Sequence, residues 1–566
     1  MAASCHPLRC LALGGLLLPL LGTGCKKKDD GTGDGMAAVD PTLELVTPQA
    51  AAWLPVGPTP VSGLVQDVRA VKVNGQAATV GDGGTFAGQA DLVRGVNVVE
   101  ARGTAVNGDE LYVRHGVLAG SFDKASGAIP EAAVVRLNQG GLDRLVGMVG
   151  GLVDPATLND SLAGINPVYE DSYGLWGWDA VTISADVDSV SFDAPVLHVT
   201  PSSGKLQLSG SIPNLFVDAQ ATGDVVGIGF DTDVSMWASS ADFVGTVSVG
   251  ARDGRLVVSL DEVSMDLVGF GYDTSLLPGD IESYILVDTL RATIEDQVVA
   301  MVQDQVPALL DEALGGLDLS FSTKLMGTPL DVSAAVARAG VDSDGIELGL
   351  DLDVDMPDAG VHGEGVLGSD GGSPSVDRHA DLGAAVSDDL LNRMLYEAWS
   401  AGILNLSLST DDGSLQPFLL TPLHATQGTI SVQADLPPVV VQDHGGLQAQ
   451  VAELMVTIDT PDGELGTHLV IAVTAYANLD LVYADGEIGL DLGDVNLSLM
   501  VRESDWGASN DAVTQLVEQM LPLDLMLGLL GNISFPVPAI QGLTLDAVVV
   551  TRDPSGVYTG VTAALQ

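Results

Sequence analysis

The sequence predicts an α+β protein: an N-terminal all-β module, then an elongated body in which helices and runs of alternating strands recur in two similar halves. Three observations carry this. Apolar residues alternate with polar ones at period two, as in Ile346, Leu348, Leu350, Leu352 and Val354 against Glu347, Asp351 and Asp353. Other stretches carry apolar residues at three-to-four spacing, the stripe of a helix packed on one side. The order helix, strands, long helix, strands then recurs along the chain. Composition agrees, with 68 Gly among 566 residues and only 4% aromatics, which suits extended structure with many tight turns.

Charge narrows the function classes. The chain has 76 Asp and Glu against 22 Lys and Arg, a net charge of -54. Nucleic acid is excluded as a partner, because a phosphate backbone needs clustered cations to displace its counterions. With 46% hydrophobic residues and a mean hydropathy of +0.31, the chain has ample material for large cores, so the acidity marks a solvated surface and not disorder.

Residues 1–24 read as a signal peptide. His6 and Arg9 precede the apolar run Leu11–Leu21, which is too short to span a bilayer as a helix. The segment Leu21-Gly22-Thr23-Gly24-Cys25 resembles a bacterial lipobox, which implies acylation of Cys25, although the Leu stands four residues before the Cys and not three. Residues 25–41 then form the lipidated Cys and a flexible, charged, Gly-rich tether. Lys26 in place of Asp after the Cys implies, by the same resemblance, export to the outer membrane, on its periplasmic or surface face. Cys5, Cys10 and Cys25 are the only cysteines, so neither disulfides nor thiolate metal sites stabilise the mature fold.

Residues 42–118 read as a β-sandwich, with strands ending in turns such as Val73-Asn74-Gly75. The pattern Pro60-Val61-Ser62-Gly63, Val73-Asn74-Gly75, Phe86, Leu92 and Gly95-Val96-Asn97 resembles bacterial immunoglobulin-like modules, which implies a spacer. Residues 129–357 form the first half of the body. Its first helix is expected from Pro130 to about Val153, with Val134, Leu142, Leu145 and Val149 on its apolar stripe. A second, from about Glu282 to Leu314, places Leu290, Ile294, Val298 and Val302 on one face and carries Pro307, which is expected to kink it. That helix is roughly 45 Å long, so it must lie along an elongated body.

Residues 358–375, rich in Gly, Asp and Ser, read as a linker, and 376–566 as the second half. Ser387 is an expected N-cap, Asp388 and Asp389 suit the first turn, Leu391, Leu395 and Trp399 share a face, and Gly402-Ile403 fits a Schellman stop. A last helix is expected from about Ser509, carrying Leu516, Val517 and Met520.

Two anchors, Val134-Val135-Arg136-Leu137-Asn138-Gln139-Gly140-Gly141-Leu142-Asp143 and the segment from Val386-Ser387-Asp388 through Glu397-Ala398-Trp399-Ser400-Ala401-Gly402-Ile403-Leu404, sit within this repeated scheme. On them, residues 130–566 resemble the tubular lipid-binding superfamily, specifically the bactericidal/permeability-increasing and lipopolysaccharide-binding protein family. The resemblance implies an elongated two-barrel module, each barrel a curved antiparallel sheet wrapped on long helices, and a non-enzymatic role in lipid binding or lipid transfer. The sequence departs from the family in lacking the disulfide of its animal members and any cationic tip: residues 376–566 carry 25 acids against four Arg. Capture of an anionic lipid by charge is therefore not expected, whereas capture of acyl chains is. Each buried methylene gains about 0.8 kcal/mol.

The expected partners are phospholipid or another acyl lipid, and a membrane through the Cys25 anchor. Val134, Leu142, Leu145, Val149, Leu290, Ile294, Val298 and Val302 would line the first groove, and Leu391, Leu395, Trp399, Leu516, Val517 and Met520 the second. The competing reading is a structural or adhesive surface protein whose stripes fill dry cores. No nucleophile elbow, zinc-protease motif, phosphate loop or dinucleotide fingerprint occurs, and the eight His are scattered, so no enzyme activity, cofactor or metal is expected. Asp342-Ser343-Asp344-Gly345 looks like the start of a calcium loop but lacks the Glu at position 12.

Overall fold

A computed structural model describes residues 40–149, 155–175, 178–225, 228–274, 280–315, 317, 319–325, 327–369, 371–372, 374, 376–443, 446–484, 486–506, 534–537, 543–553 and 556–566. The architecture is mostly β, with few helices and curled half-barrel sheets. Cys25 and the helix expected to carry Leu516, Val517 and Met520 lie outside the described residues.

The N-terminal module is one eight-stranded sheet between Thr42 and Ala119. Its strands alternate buried and exposed residues, and Leu45, Val61, Val71, Phe86, Val99 and Val117 form a core of its own. The Asn74-Gly75 turn has positive φ at both residues, 43° and 82°, the twist that joins adjacent strands most tightly.

Three further sheets build the body. One half curls around Tyr169–Leu175, Trp178–Ser191, Lys205–Val225, Ile228–Arg252 and Arg255–Val268. The other curls around Leu406–Ser409, Thr429–Ala434, Gly446–Asp459, His468–Ala484, Glu487–Ser504 and Ser534–Pro536. Between them a seven-stranded sheet takes strands from both halves, in the order Phe321–Leu325, Thr328–Val341, Gly345–Asp355, Ile129–Asn138, Leu382–Ser387, Tyr558–Leu565, Leu545–Arg552.

The stretch Ile129–Asn138, expected to open the first helix, is the middle strand of that shared sheet. It pairs with Gly345–Asp355 on one side and Leu382–Ser387 on the other. Residues Ala132 to Asn138 are all buried, and a strand covered on both faces shows no period-two alternation, so its apolar spacing passed for a helical stripe. The helix proper, α1, starts later, at Gln139–Val149. A Cβ on Gly141 in its first turn would meet Leu137 Cδ1 at 2.4 Å and the Asp381 carbonyl oxygen at 2.6 Å, so only glycine lets the strand turn directly into the helix there. A short helix, α2, follows at Pro155–Ala163.

Helix α3 spans Asp280–Gly315, 36 residues including Pro307, and packs along the strand Arg255–Val268. At 1.5 Å per residue it is about 54 Å long. Helix α4 spans Asp388–Ser400. Ser387 caps it by accepting from Asp389 N at 3.1 Å. Its end is a Schellman motif, with Gly402 at φ 74°, Gly402 N donating to Trp399 O and Ile403 N to Ala398 O. Leu390 to Ala398 are all buried, so α4 is covered on every side and not along one face alone.

Within the stretch expected as a linker, residues 365–368 are buried in a packed seam. Val366–Leu367 pairs with Phe122–Asp123, and Leu367 packs with Val96 and Leu118 of the N-terminal module and with Leu436, Val439 and Ala452 of the second half. Helix α4 closes the same seam: Asn392 Nδ2 donates to Leu367 O and to Val440 O, and Arg393, paired with Glu397 at 2.6 Å, donates to Lys124 O. Trp53, Phe122, Tyr396 and Trp399 stack edge-on or tilted within 6.3 Å of one another's neighbours in the chain of rings. The N-terminal module is thereby fixed to the body.

Candidate functional site: two apolar pockets

Most of the expected groove residues share one core. Leu142 and Leu145 on α1, Leu290, Ile294, Val298 and Val302 on α3, and Leu391 and Leu395 on α4 belong to a single continuous cluster, each at most 4% exposed. The two separate linings expected from sequence are therefore merged. The shared sheet is the reason, because four adjacent strands of the first half continue directly into three of the second, and one continuous core packs on it.

Two residues stand apart. Val134 is fully buried but alternates with Ala133 and Val135, so it faces away from that core, beside Arg136 and Asn138. Trp399 packs on the neighbouring cluster of the second half, and its Nε1 donates to Ala434 O at 2.7 Å. The side chain of Val149 lies outside the described residues, as do Leu516, Val517 and Met520.

Among the described residues, two mainly apolar pockets adjoin the core. The first, a crevice of about 10 Å³, lies beneath the sheet of the first half, between Leu215, Met236, Trp237, Ala238, Leu267, Phe270 and Ile294. Ile294 on α3 forms its floor. Its rim carries Trp237, 42% exposed, and Phe270, whose ring lies 5.0 Å from the Arg291 guanidinium. Arg291 also pairs with Glu295 one turn on, at 2.8 Å.

The second pocket, a narrow cavity of about 30 Å³, lies where the shared sheet meets the second half. Ala384 and Val561, directly paired across the shared sheet, face Leu481 and Ile488 from the curled sheet, with Leu391 of α4 and Leu319 behind them. Only Ser387 and Thr559 bring hydroxyls, and Ser387 is already occupied as the cap of α4. Aliphatic walls and few polar groups are ordinary features of a site for an apolar ligand, and a cavity of this size would have to widen to admit one.

A buried ion pair frames its α4 end. Arg552 grips Asp388 with both Nη atoms, at 2.6 and 2.8 Å, and also donates to Thr559 Oγ1 and Gly556 O. Burial pushes the Asp388 carboxyl up, and the two-pronged contact with Arg552 pulls it back down. The pair is spent on positioning the start of α4 and leaves no free charge for a headgroup.

Of the residues expected from sequence, Ile294 reaches the first pocket and Leu391 the second. Ala384, Leu481, Ile488 and Val561 escaped notice. Ala384 sits on a short strand buried on both faces and the others on ordinary strands, and only the register of two sheets brings them together.

Other chemistry is structural. Asp342 accepts from Asp344 N and Gly345 N and from Arg136 Nη2 at 2.6 Å, so the loop that looked like a calcium loop is closed on an arginine. Among the described residues no three His, Cys, Asp or Glu side chains converge to hold a metal. No helix among them is long and apolar enough to cross a membrane.

No protein-family model and no curated protein matches the sequence. Among solved structures, one described as a lipopolysaccharide binding protein is similar to this chain with a TM-score of 0.42 and 15% identity, over 77% of this chain and 99% of the other.

Proposed function

We propose that the protein is a non-enzymatic lipid-binding protein that holds the acyl chains of phospholipid or a similar lipid in its two apolar pockets, in a body of the two-barrel, tubular lipid-binding type. The observation that carries the reading is the lining of the second pocket, aliphatic side chains on every wall with two hydroxyls, around a narrow cavity that an entering chain would widen. An acyl chain has no hydrogen bonds to satisfy, and each methylene transferred into such a lining gains about 0.8 kcal/mol. Transfer of lipid between membranes would follow from reversible filling of the same pockets. The chain would be exported, acylated on Cys25 and held at the outer membrane, with the N-terminal module, immunoglobulin-like in type, as a rigid block between anchor and body.

One observation favours a second reading, a scaffold or adhesive surface protein with dry interiors: the helical stripes of α1, α3 and α4 are closed into packed core. Filling the pockets separates the two. Ala384→Phe and Ala238→Phe each place a ring in one pocket, at a typical overpacking cost of about 1–3 kcal/mol. Native mass spectrometry with lipid extraction on the Cys25→Ser protein is expected to show co-purifying acyl lipid, reduced by each variant and lost in the double variant. An unliganded parent protein that also fails to take up added phospholipid would establish the scaffold reading.

A further inference from the structure

The second half carries a rigidly mounted apolar projection that neither pocket uses. A short 3₁₀ helix, Pro417–Leu423, turns Leu420 and Leu423 into the core of that half, at 0% and 1% exposure. Its other edges leave Phe418 69% exposed and Leu419 39% exposed. Among the large hydrophobic side chains of the described residues, Phe418 is one of the three most exposed. Pro417 and Pro422 restrict the backbone on either side, and His424 ends the turn at φ 55°.

A facing loop completes the projection. Asp462 accepts from Thr426 N, Thr426 Oγ1 and Gln427 N, and His424 Nδ1 lies 3.2 Å from Glu464 Oε2. These bonds place Leu465, 36% exposed, beside the end of the short helix. Phe418 and Leu419 stand next to each other on the exposed side of the short helix, while Leu420 and Leu423 turn inward, and Leu465 is exposed on the facing loop.

Charge decides what the patch fits. Every fixed charge on its rim is a carboxylate: Asp411 and Asp412 before the helix, Asp462 and Glu464 in the facing loop. No Lys or Arg occurs between Arg393 and Arg502. The bonds from Ser414 to Asp412 and from Thr426 to Asp462 hold those two carboxyls below the ordinary carboxylate range, so the rim stays charged in mild acid. An anionic membrane is repelled by such a rim. A zwitterionic membrane presents ammonium groups outermost, which complement it, over an apolar layer within reach of a Phe and two Leu side chains. A projecting knob, unlike a groove, needs no shaped partner.

We propose that Phe418, Leu419 and Leu465 insert into the headgroup layer of a membrane of zwitterionic lipid, with the surrounding carboxylates against the ammonium groups, and so seat the end of the second half on a lipid surface. The inference is independent of lipid storage in the pockets.

The test is co-sedimentation with phosphatidylcholine vesicles, using the Cys25→Ser protein so that acylation plays no part. The parent protein is expected to bind, the double variant Phe418→Ser with Leu419→Ser to bind on the order of tenfold or more weakly, and Leu465→Ser to fall between them. Vesicles of equimolar phosphatidylcholine and phosphatidylglycerol are expected to bind the parent less well, with the deficit shrinking in high salt. The pocket-filling Ala384→Phe variant is expected to bind vesicles as the parent does, which separates the two proposals. Equal binding by the parent and by both knob variants, or tighter binding to the anionic vesicles, would overturn it. Absence of vesicle binding by the parent would also overturn it and would assign the patch to a protein partner.

Discussion

Arg502 holds both carboxylate oxygens of Glu453 at 2.7 Å, and the same carboxylate accepts from the backbone N–H of Gly116 in the N-terminal module. Glu453 is 2% exposed and sits in a bulge of its strand, at φ 48°, which turns its side chain out of the alternation and toward the module. Arg502 Nη1 reaches Arg114 O, and Gln450 Oε1 accepts from Val96 N at 2.7 Å. A sheet that looked like a spacer on a tether is thus latched to the far half of the chain.

Replacing Glu453 by Ala is expected to strand the Arg502 guanidinium in the seam. Breaking one side of a buried pair typically costs about 3–5 kcal/mol. Urea unfolding followed by tryptophan fluorescence should show a separate early transition, since Trp53 reports the seam through its contacts with Phe122 and Trp399. Limited proteolysis should open the connection near residues 120–128. A single transition at the parent midpoint would count against the latch.

Acid sensitivity is expected from the network on the outer face of the shared sheet. Arg136, 1% exposed, donates to Asp342 and Asn138 and pairs with Glu347 at 3.3 Å. Its hydrogen bond lowers the Asp342 pKa from 3.8 to about 2. A carboxyl depressed in the folded state contributes stability that is present above the unfolded pKa and lost as pH falls through the folded one. The Asp342 contribution should therefore be complete above about pH 4 and gone near pH 2. In Asp342→Asn, stability should fall less steeply across that window, as read from urea midpoints at a series of pH values; identical slopes would remove Asp342 from the account.

The strand-to-helix turn at Gly141 makes a steric prediction. Gly141→Ala places a methyl against the Asp381 carbonyl, which belongs to backbone and cannot swing away. A loss of about 1–3 kcal/mol is expected by analogy with overpacked cores. Thermal unfolding measures it, and Gly147→Ala on the same helix, with open space around its Cβ position, serves as the control and should be neutral or stabilising.

Local chemistry was legible in the sequence. The bounds of α3, the Ser387 cap and Gly402 stop of α4, the strand from Ile346 to Val354 and the Asn74-Gly75 turn each depend on a few neighbouring residues, and the sequence by itself determined them. Tertiary structure decided the rest. Ile129–Asn138 is a strand because two partners more than 200 residues further on cover both its edges, information that no local period contains. The second pocket exists because register sets Ala384 opposite Val561 and folds the strands of Leu481 and Ile488 over them. The module is docked because a bulge redirects one glutamate. A helix period or a turn is written in adjacent residues, whereas sheet register, pocket walls and buried ion pairs arise only when distant segments meet.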